Sequence, residues 1–339
     1  MTGPNAHPGA DGAAAAAALA DGAALADGAA AAAHALDRVK ADVFDAERPR
    51  LVGIAYRLLG SVTDAEDVVQ EAWFRFSRVD LAALDRPAAW LTTVVSRIGL
   101  DKLRSRQRDR ADYVGPWLPE PMIERGTSAG TNSADPADRA ELADSLTMAF
   151  LVLLEKLSPH ERVTLLLADV FGEPFSEVAR VIGKSEAATR QVASRARKKL
   201  READPDGGLR TVPPLAEQRA VADRLTSALA MGDLAATAML LAPDVVLLSD
   251  GGALVHAARR PIVGVDRVSR FMVNLAKRIT ADDTFEMCVV NRRPALVVRR
   301  HGNVRFVLEV DVRDGLVQAV HSVVNPAKLN TVDHPVTVV

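Results

Sequence analysis

Apolar residues recur every three or four positions through Val43, Phe44, Leu51, Ile54, Ala55, Leu58 and Leu59, which predicts an amphipathic helix that Gly60 ends. Thr63 follows as an N-cap with Glu66 three residues later, a capping box ahead of Val68, Val69, Ala72, Trp73 and Phe76. Pro87 opens a third helix at its first turn, where a missing N–H costs nothing. Trp90, Leu91, Val94, Val95, Ile98 and Leu103 carry that helix's apolar stripe. Short joints between the three predict a compact α domain over residues 40–110. Helical spacing returns from Leu142 to Leu157, after Pro159, and beyond Gly172 in EPFSEVARVIG. Gly183 predicts a helix end and Ser185 the cap of a last helix to about Arg201. Two short helices across a three-residue turn are helix-turn-helix spacing, so residues 141–203 read as a second α domain.

The remaining segments have other textures. Residues 1–39 form an Ala/Gly/Asp tract without an apolar stripe, which predicts a disordered extension. Residues 111–140 break every period; their first half, YVGPWLPEP, predicts stiff extended chain and their Gly/Ser-rich second half a flexible link. Residues 212–327 change again. A helix near 215–231 precedes DVVLLSD, a loop with Gly251 and Gly252, a helix near 264–279, and the β-type runs FEMCVVN, PALVVRR and VRFVLEVDVRDGLVQAVHSVV. Alternation of Arg305, Val307 and Glu309 with Phe306, Leu308 and Val310 predicts a strand with one buried face, and Arg-Asp-Gly at 313–315 a hairpin turn. The fold class is multidomain: two all-α domains, then an α+β domain with a curved antiparallel sheet.

Composition narrows the chemistry. With 48% apolar residues in 339, packed cores are available, but at 4% aromatic content Leu, Val, Ile and Ala must fill them. Cys288 is the single cysteine, so neither an intramolecular disulfide nor a cysteine metal cluster can form. No long charge-free apolar run predicts a membrane span, and the opening lacks the basic start of a secretory signal, so a reducing cytoplasm is the expected address. The net charge of −2 hides segregation: residues 97–110 hold six basic and two acidic residues, residues 190–202 six and one, and TDAEDVVQEA at 63–72 is acidic. Phosphate responds to the field within a Debye length of roughly 8–10 Å, so the basic islands outweigh the total.

On the helix from Ser185, Ala188, Val192, Ala196 and Leu200 share one stripe. The other carries Arg190, Gln191, Ser194, Arg195 and Lys198, types that hydrogen-bond purine edges in a major groove. Arg197, Lys199 and Arg201 flank it as phosphate partners. A solvated basic helix end is the plainer reading of the same run. The first island places Arg97, Asp101 and Arg104 along a helix opened by Trp90. Basic residues beside an aromatic suit single strands, although Trp90 alone reads as core.

DAEDVVQEAWFRF, PAAWLTTVVSRIGLDKLRSR and EVARVIGKSEAATRQVASRARKKL, in this order and spacing, resemble the two characteristic blocks of an extracytoplasmic-function (ECF) sigma factor of the sigma-70 type. The resemblance implies that the chain binds core RNA polymerase and promoter DNA. It places Asp64, Glu66, Asp67, Gln70 and Glu71 on the polymerase, Arg97, Asp101 and Arg104 on the −10 element, and Arg190, Gln191, Ser194, Arg195 and Lys198 on the −35 element. YVGPWLPEP, NPAKL at 325–329 and the α+β tail are similar to the SigJ-like subgroup, whose fused, cone-shaped SnoaL/NTF2-like domain modulates the sigma factor. That similarity makes Trp117, Pro119, Asp250, Asn325 and Lys328 regulatory contacts. The subgroup's DGGGK loop reads DGGAL here, with Ala253 and Leu254 in place of glycine and lysine.

The resemblance implies no catalysis, cofactor or metal, and it places the chain on the nucleoid. A small-molecule ligand in the tail's pocket stays open. Two alternatives remain: a stand-alone helix-turn-helix regulator, and a tail acting as an isomerase- or hydrolase-type enzyme. Ketosteroid-isomerase-like chemistry needs a carboxylate base and an acidic donor, often Tyr. Tyr56 and Tyr113 both lie outside the tail, which leaves Asp250, His256 and His321 as acid/base candidates.

Overall fold

A computed structural model describes residues 10–109, 113–123, 145–204 and 213–333, with backbone alone over 10–33 and 107–109. Helix α1 (Ala10–Leu59) runs through the tract read as a disordered extension: from Ala10 onward the Ala-rich sequence continues the domain helix. Each interior glycine costs about 1 kcal/mol, but alanine is the best helix former, and a helix already nucleated by packing gains one hydrogen bond per added residue. Helices α2 (Val62–Ser77) and α3 (Pro87–Asp109) follow. The cap of α2 also differs from expectation. Ser61, not Thr63, accepts the Asp64 amide at 3.1 Å, while Val62 N and Thr63 N donate to Glu120 Oε2 at 2.8 and 3.3 Å.

The second helical unit holds α4 (Met148–Leu154), α5 (Pro159–Leu165), a π turn over Leu166–Val170, α6 (Phe175–Ile182) and α7 (Glu186–Ala203). Gly183 ends α6 at φ 66°, and Ser185 caps α7 through the Ala188 amide, as the spacing predicts. The two units share one core, in which Leu51, Leu58, Val69 and Leu91 join Leu151, Val163, Leu166 and Val178.

The tail comprises α8 (Leu215–Ala230), α9 (Leu234–Met239), β1 (Leu241–Asp250), β2 (Ile262–Val263), α10 (Val265–Ala276), β3 (Asp283–Val290), β4 (Arg293–Arg300), β5 (Asn303–Arg313), β6 (Leu316–Val323) and α11 (Pro326–Leu329). The sheet order is β2-β1-β6-β5-β4-β3, and β1 runs parallel to β6, so the sheet is mixed rather than wholly antiparallel. The β3–β4, β4–β5 and β5–β6 hairpins each turn on two residues of positive φ, the geometry that matches strand twist. Register shifts in β1, β4 and β5 bend the sheet.

Both faces of the central strands are covered, which corrects the one-face expectation for β5. Phe306, Leu308 and Val310 pack inward against α8 and α10, in a cluster with Val221, Leu225, Val268 and Met272. Val307, with Ala295, Val297 and Val323, packs outward against Leu118 and Ile123 of the inter-unit segment and Met148 of α4. That outer layer makes Glu309 as buried as Val307, each 1% exposed. The expected stiff half of the linker is thus an extended strap, Tyr113–Ile123, pressed between tail and helices, with Ile123 bridged to Val290. Its expected flexible half lies outside the described residues.

Candidate nucleic-acid interface and the contacts that cover it

Helix α7 divides cleanly. Thr189, Val192, Ala193 and Ala196 are buried, and Arg190, Gln191, Ser194, Arg195 and Lys198 form one exposed face. Arg190 is steered by Glu186 at 2.5 Å and lies over the Phe175 ring of α6, 5.3 Å from its centroid. Two expected phosphate partners turn instead to their own fold. Arg197 pairs with Asp169 at 2.5 Å, and Lys199 binds Glu161 at 2.7 Å. Burial alone would raise Glu161, yet the Lys199 ammonium and the Ser158 donors bring it below its usual range. Arg201 stays exposed.

On α3, Trp90 stacks at a tilt on Phe76, with centroids 5.8 Å apart, and reads as core. Arg97, Asp101 and Arg104 share the exposed side. That side faces the second unit. Arg97 donates to the Arg180 carbonyl of α6 at 2.8 Å, and Arg104 to His160 Nε2 of α5 at 2.9 Å and to Asp101 at 3.1 Å. Arg50 of α1 adds a 2.5 Å bond to Glu173.

The acidic face of α2 is open at Glu66, Asp67, Gln70 and Glu71, beside the half-exposed Phe74. Asp64 is engaged internally by Lys102 at 2.9 Å and by Arg106, both on α3. Lys102 also reaches Asp67 at 3.3 Å. Asp64 therefore ties the helix expected on polymerase to the helix expected on DNA.

A denser polar cluster pins the strap. Asp250, fully buried at the end of β1, accepts from Tyr113 Oη at 2.5 Å, Leu118 N at 2.8 Å, Gly252 N at 3.2 Å and Lys328 Nζ at 2.7 Å. Lys328 also donates to the Leu118 carbonyl at 2.5 Å and sits 4.0 Å above the Trp117 ring. Asn325 donates to Tyr113 Oη at 2.9 Å and caps α11. Pro119 is buried, and Trp117 covers Gly60, where an added Cβ would lie 2.5 Å from the indole. Asp250 of β1 and Asn325 and Lys328 of the C-terminal segment thus converge on Tyr113, Trp117 and Leu118 of the strap, whereas Pro119 packs beside Gly60. The DGGAL departure falls outside this cluster, since Ala253 and Leu254 are exposed.

The family descriptions Sigma-70 region 2 and Sigma-70, region 4 match residues 43–109 and 147–200. The chain is 41% identical over 295 residues to the ECF RNA polymerase sigma factor SigJ of Mycobacterium tuberculosis, covering 84% of this chain and 91% of that one. It is 32% identical over 291 residues to the probable ECF RNA polymerase sigma factor SigI of the same species, covering 84% and 93%. The crystal structure of M. tuberculosis SigJ superposes with a TM-score of 0.66 at 38% identity, over 85% of this chain and 97% of that one. The chain belongs to the ECF sigma factor family. Its layout is the one expected, two helical sigma domains followed by an α+β tail, with the sheet mixed rather than antiparallel.

In this sigma factor the acid/base candidates of the tail are not assembled. Asp250 is bound to Lys328, His256 is exposed in the loop after it, and His321 is held by Glu309 at 2.6 Å on the outer sheet face. Burial would lower His321, but the Glu309 carboxylate outweighs it and raises the imidazole above 6.5. A cavity of about 190 Å³ lies between Val114–Gly115 and the Gly251–Arg259 loop, beside the strap rather than among the inner apolar cluster. Cys288 is half-buried, its thiol pushed up to about 11 by burial. No group of three His, Cys, Asp or Glu suited to a metal occurs among the described residues, nor is any helix there long and apolar enough to cross a membrane.

Sequence reasoning missed the residue with the widest reach, Asn291. At the tip of the β3–β4 hairpin it donates to Tyr56 Oη at 2.7 Å and the Leu146 carbonyl at 2.9 Å, and accepts from Met122 N at 3.0 Å. It thereby joins the first helical unit, the second unit, the strap and the tail. The available signal was an Asn at the turn between two β runs, where a positive φ (49° here) suits it.

Proposed function

We propose that this sigma factor guides core RNA polymerase to promoters on the nucleoid with α7 on the −35 element, α3 on the −10 element, and α2 on the polymerase. We further propose that its tail modulates activity by holding the two helical units together. The observation that carries the first part is α7: five side chains of base-reading type share one exposed face behind a buried apolar stripe. For the second part, Asn291 bonds both units at once, while two of the three residues assigned to the −10 element spend their donors on α5 and α6. Promoter binding needs those donors free. A tail that favours the compact arrangement lowers the competent fraction and the apparent affinity in proportion. Of the residues assigned to polymerase, Glu66, Asp67, Gln70 and Glu71 remain outward-facing, whereas Asp64 acts through α3.

The test is reconstitution with core polymerase and mapping of the transcripts. Initiation at a defined start, weakened by Arg190→Ala or Arg195→Ala, is the expected result. Unchanged promoter affinity in both variants refutes the α7 assignment. Arg104→Ala is expected to impair open-complex formation, and permanganate footprints identical to wild type refute the α3 assignment. Asn291→Gly is expected to raise initiation by wild-type polymerase. Equal initiation by both proteins refutes the modulating tail.

A further inference from the structure

The contact that seats α3 on α5 depends on a single proton. A guanidinium has donors and no acceptor, so the Arg104–His160 hydrogen bond at 2.9 Å requires a bare Nε2 and a neutral ring. We propose that His160 is a proton-operated latch, whose neutral ring holds Arg104 in the closed arrangement and whose protonated ring releases α3 for DNA. This rests on the reading of the described arrangement as closed. Protonation removes the acceptor and places a second cation against the guanidinium.

The surrounding charges do not cancel that repulsion. Lys184, in the turn between α6 and α7, adds a further positive charge, and burial followed by Arg104 and Lys184 holds the ring below its ordinary 6.5. The carboxylates on the neighbouring elements already have cations: Asp101 has Arg104 on α3, Glu177 has Arg180 on α6, Glu155 has Arg162 beside α4, and Glu161, next to His160, has Lys199 from α7. The sign follows from linkage. A ring that binds its proton more weakly when closed than when free shifts the molecule toward the open form as pH falls through 6.5. The Arg97 bond to the Arg180 carbonyl does not involve His160 and stays available when the ring is protonated, so the latch weakens the seat of α3 without abolishing it.

The experiment is Förster transfer between dyes on full-length Cys288→Ser protein carrying Arg78→Cys and Arg201→Cys, read from pH 7.5 to 5.5 without DNA. The expected open-to-closed ratio rises about two- to fivefold in the wild-type background, the range for one surface charge pair. His160→Gln, which keeps an acceptor and cannot titrate, is expected to flatten that rise, and His160→Lys to be open already at pH 7.5. His321 and Asp311, both with raised proton affinity in the tail, are present in both the wild-type background and His160→Gln, so the difference isolates the latch. A pH profile in His160→Gln that matches wild type overturns the proposal, as does a His160→Lys protein as closed as wild type at pH 7.5. A wild-type background extended at every pH overturns the closed reading itself, and promoter binding by Arg104→Ala judges the −10 assignment separately.

Discussion

Asp250→Asn removes one charge from a buried pair and leaves the other stranded. Asp250 is 0% exposed and Lys328 7%, so the ammonium of the variant would have no bulk water to replace its carboxylate. An asparagine keeps one oxygen, enough for the Leu118 and Lys328 donors at Oδ2 or the Tyr113 and Gly252 donors at Oδ1, but not for both sets. Breaking a buried ion pair by deleting one partner costs about 3–5 kcal/mol, which is roughly a 100- to 5,000-fold shift in an equilibrium. The pair joins β1 and α11 to the strap, so the loss lands on the seated state of the strap. Hydrogen exchange of the Trp117, Leu118 and Glu120 amides reports that seating directly, and urea unfolding reports the total. The expected result is strap exchange at least 100-fold faster, with about 3–5 kcal/mol less stability. Lys328→Met removes the other charge, and the double variant strands neither. A double-mutant cycle should therefore show at least about 2 kcal/mol of coupling. Strap exchange unchanged in Asp250→Asn, or strictly additive single effects, would refute the reasoning.

Other consequences follow from the same contacts. Asn291→Gly keeps the positive φ but strands up to three buried partners, and should cost about 1–3 kcal/mol for each in urea unfolding; Asn291→Asp, which cannot donate to Tyr56 and Leu146, should not restore it. Gly60→Ala forces a side chain against Trp117 at φ 64° and should lower stability by about 1–3 kcal/mol, seen as a lower Tm and a shifted tryptophan emission. His321 is raised by Glu309 in the folded state, so its contribution is complete below 6.5 and fades as pH rises through the elevated folded value. A His321→Gln variant should accordingly close its stability deficit as pH rises over that window in chemical unfolding. Arg190→Ala should weaken −35 duplex binding by about 1–3 kcal/mol, with discrimination lost at one or two base positions in competition assays.

Much of this protein is legible in its local sequence. Pro87, Gly60, Gly183 and Ser185 mark helix ends by backbone chemistry acting within a turn, and each stands where the spacing predicts. The division of α7 is equally local, because a period of 3.6 decides which side chains share a face. The helix α2 begins at Val62, with Ser61 as its local cap, because Glu120 Oε2, 58 residues beyond Val62, accepts the Val62 and Thr63 amides, a long-range contact that no local rule contains. Glu309 defeated the alternation argument on β5 because the strap covers a face that an isolated sheet would leave in water.

Periodicity, caps and the segregation of charge thus determined the helices, the hairpins and the side chains that face outward from α7, since those properties depend on residues within a few turns of one another. Tertiary structure alone decided that Asp250 meets Lys328 and Leu118, that Asn291 spans four parts of the chain, and that Arg97 and Arg104 are turned toward α5 and α6. These are contacts between residues dozens to hundreds of positions apart. A buried polar group takes whichever complementary partner the packed layers bring to it, and sequence distance carries no record of that choice.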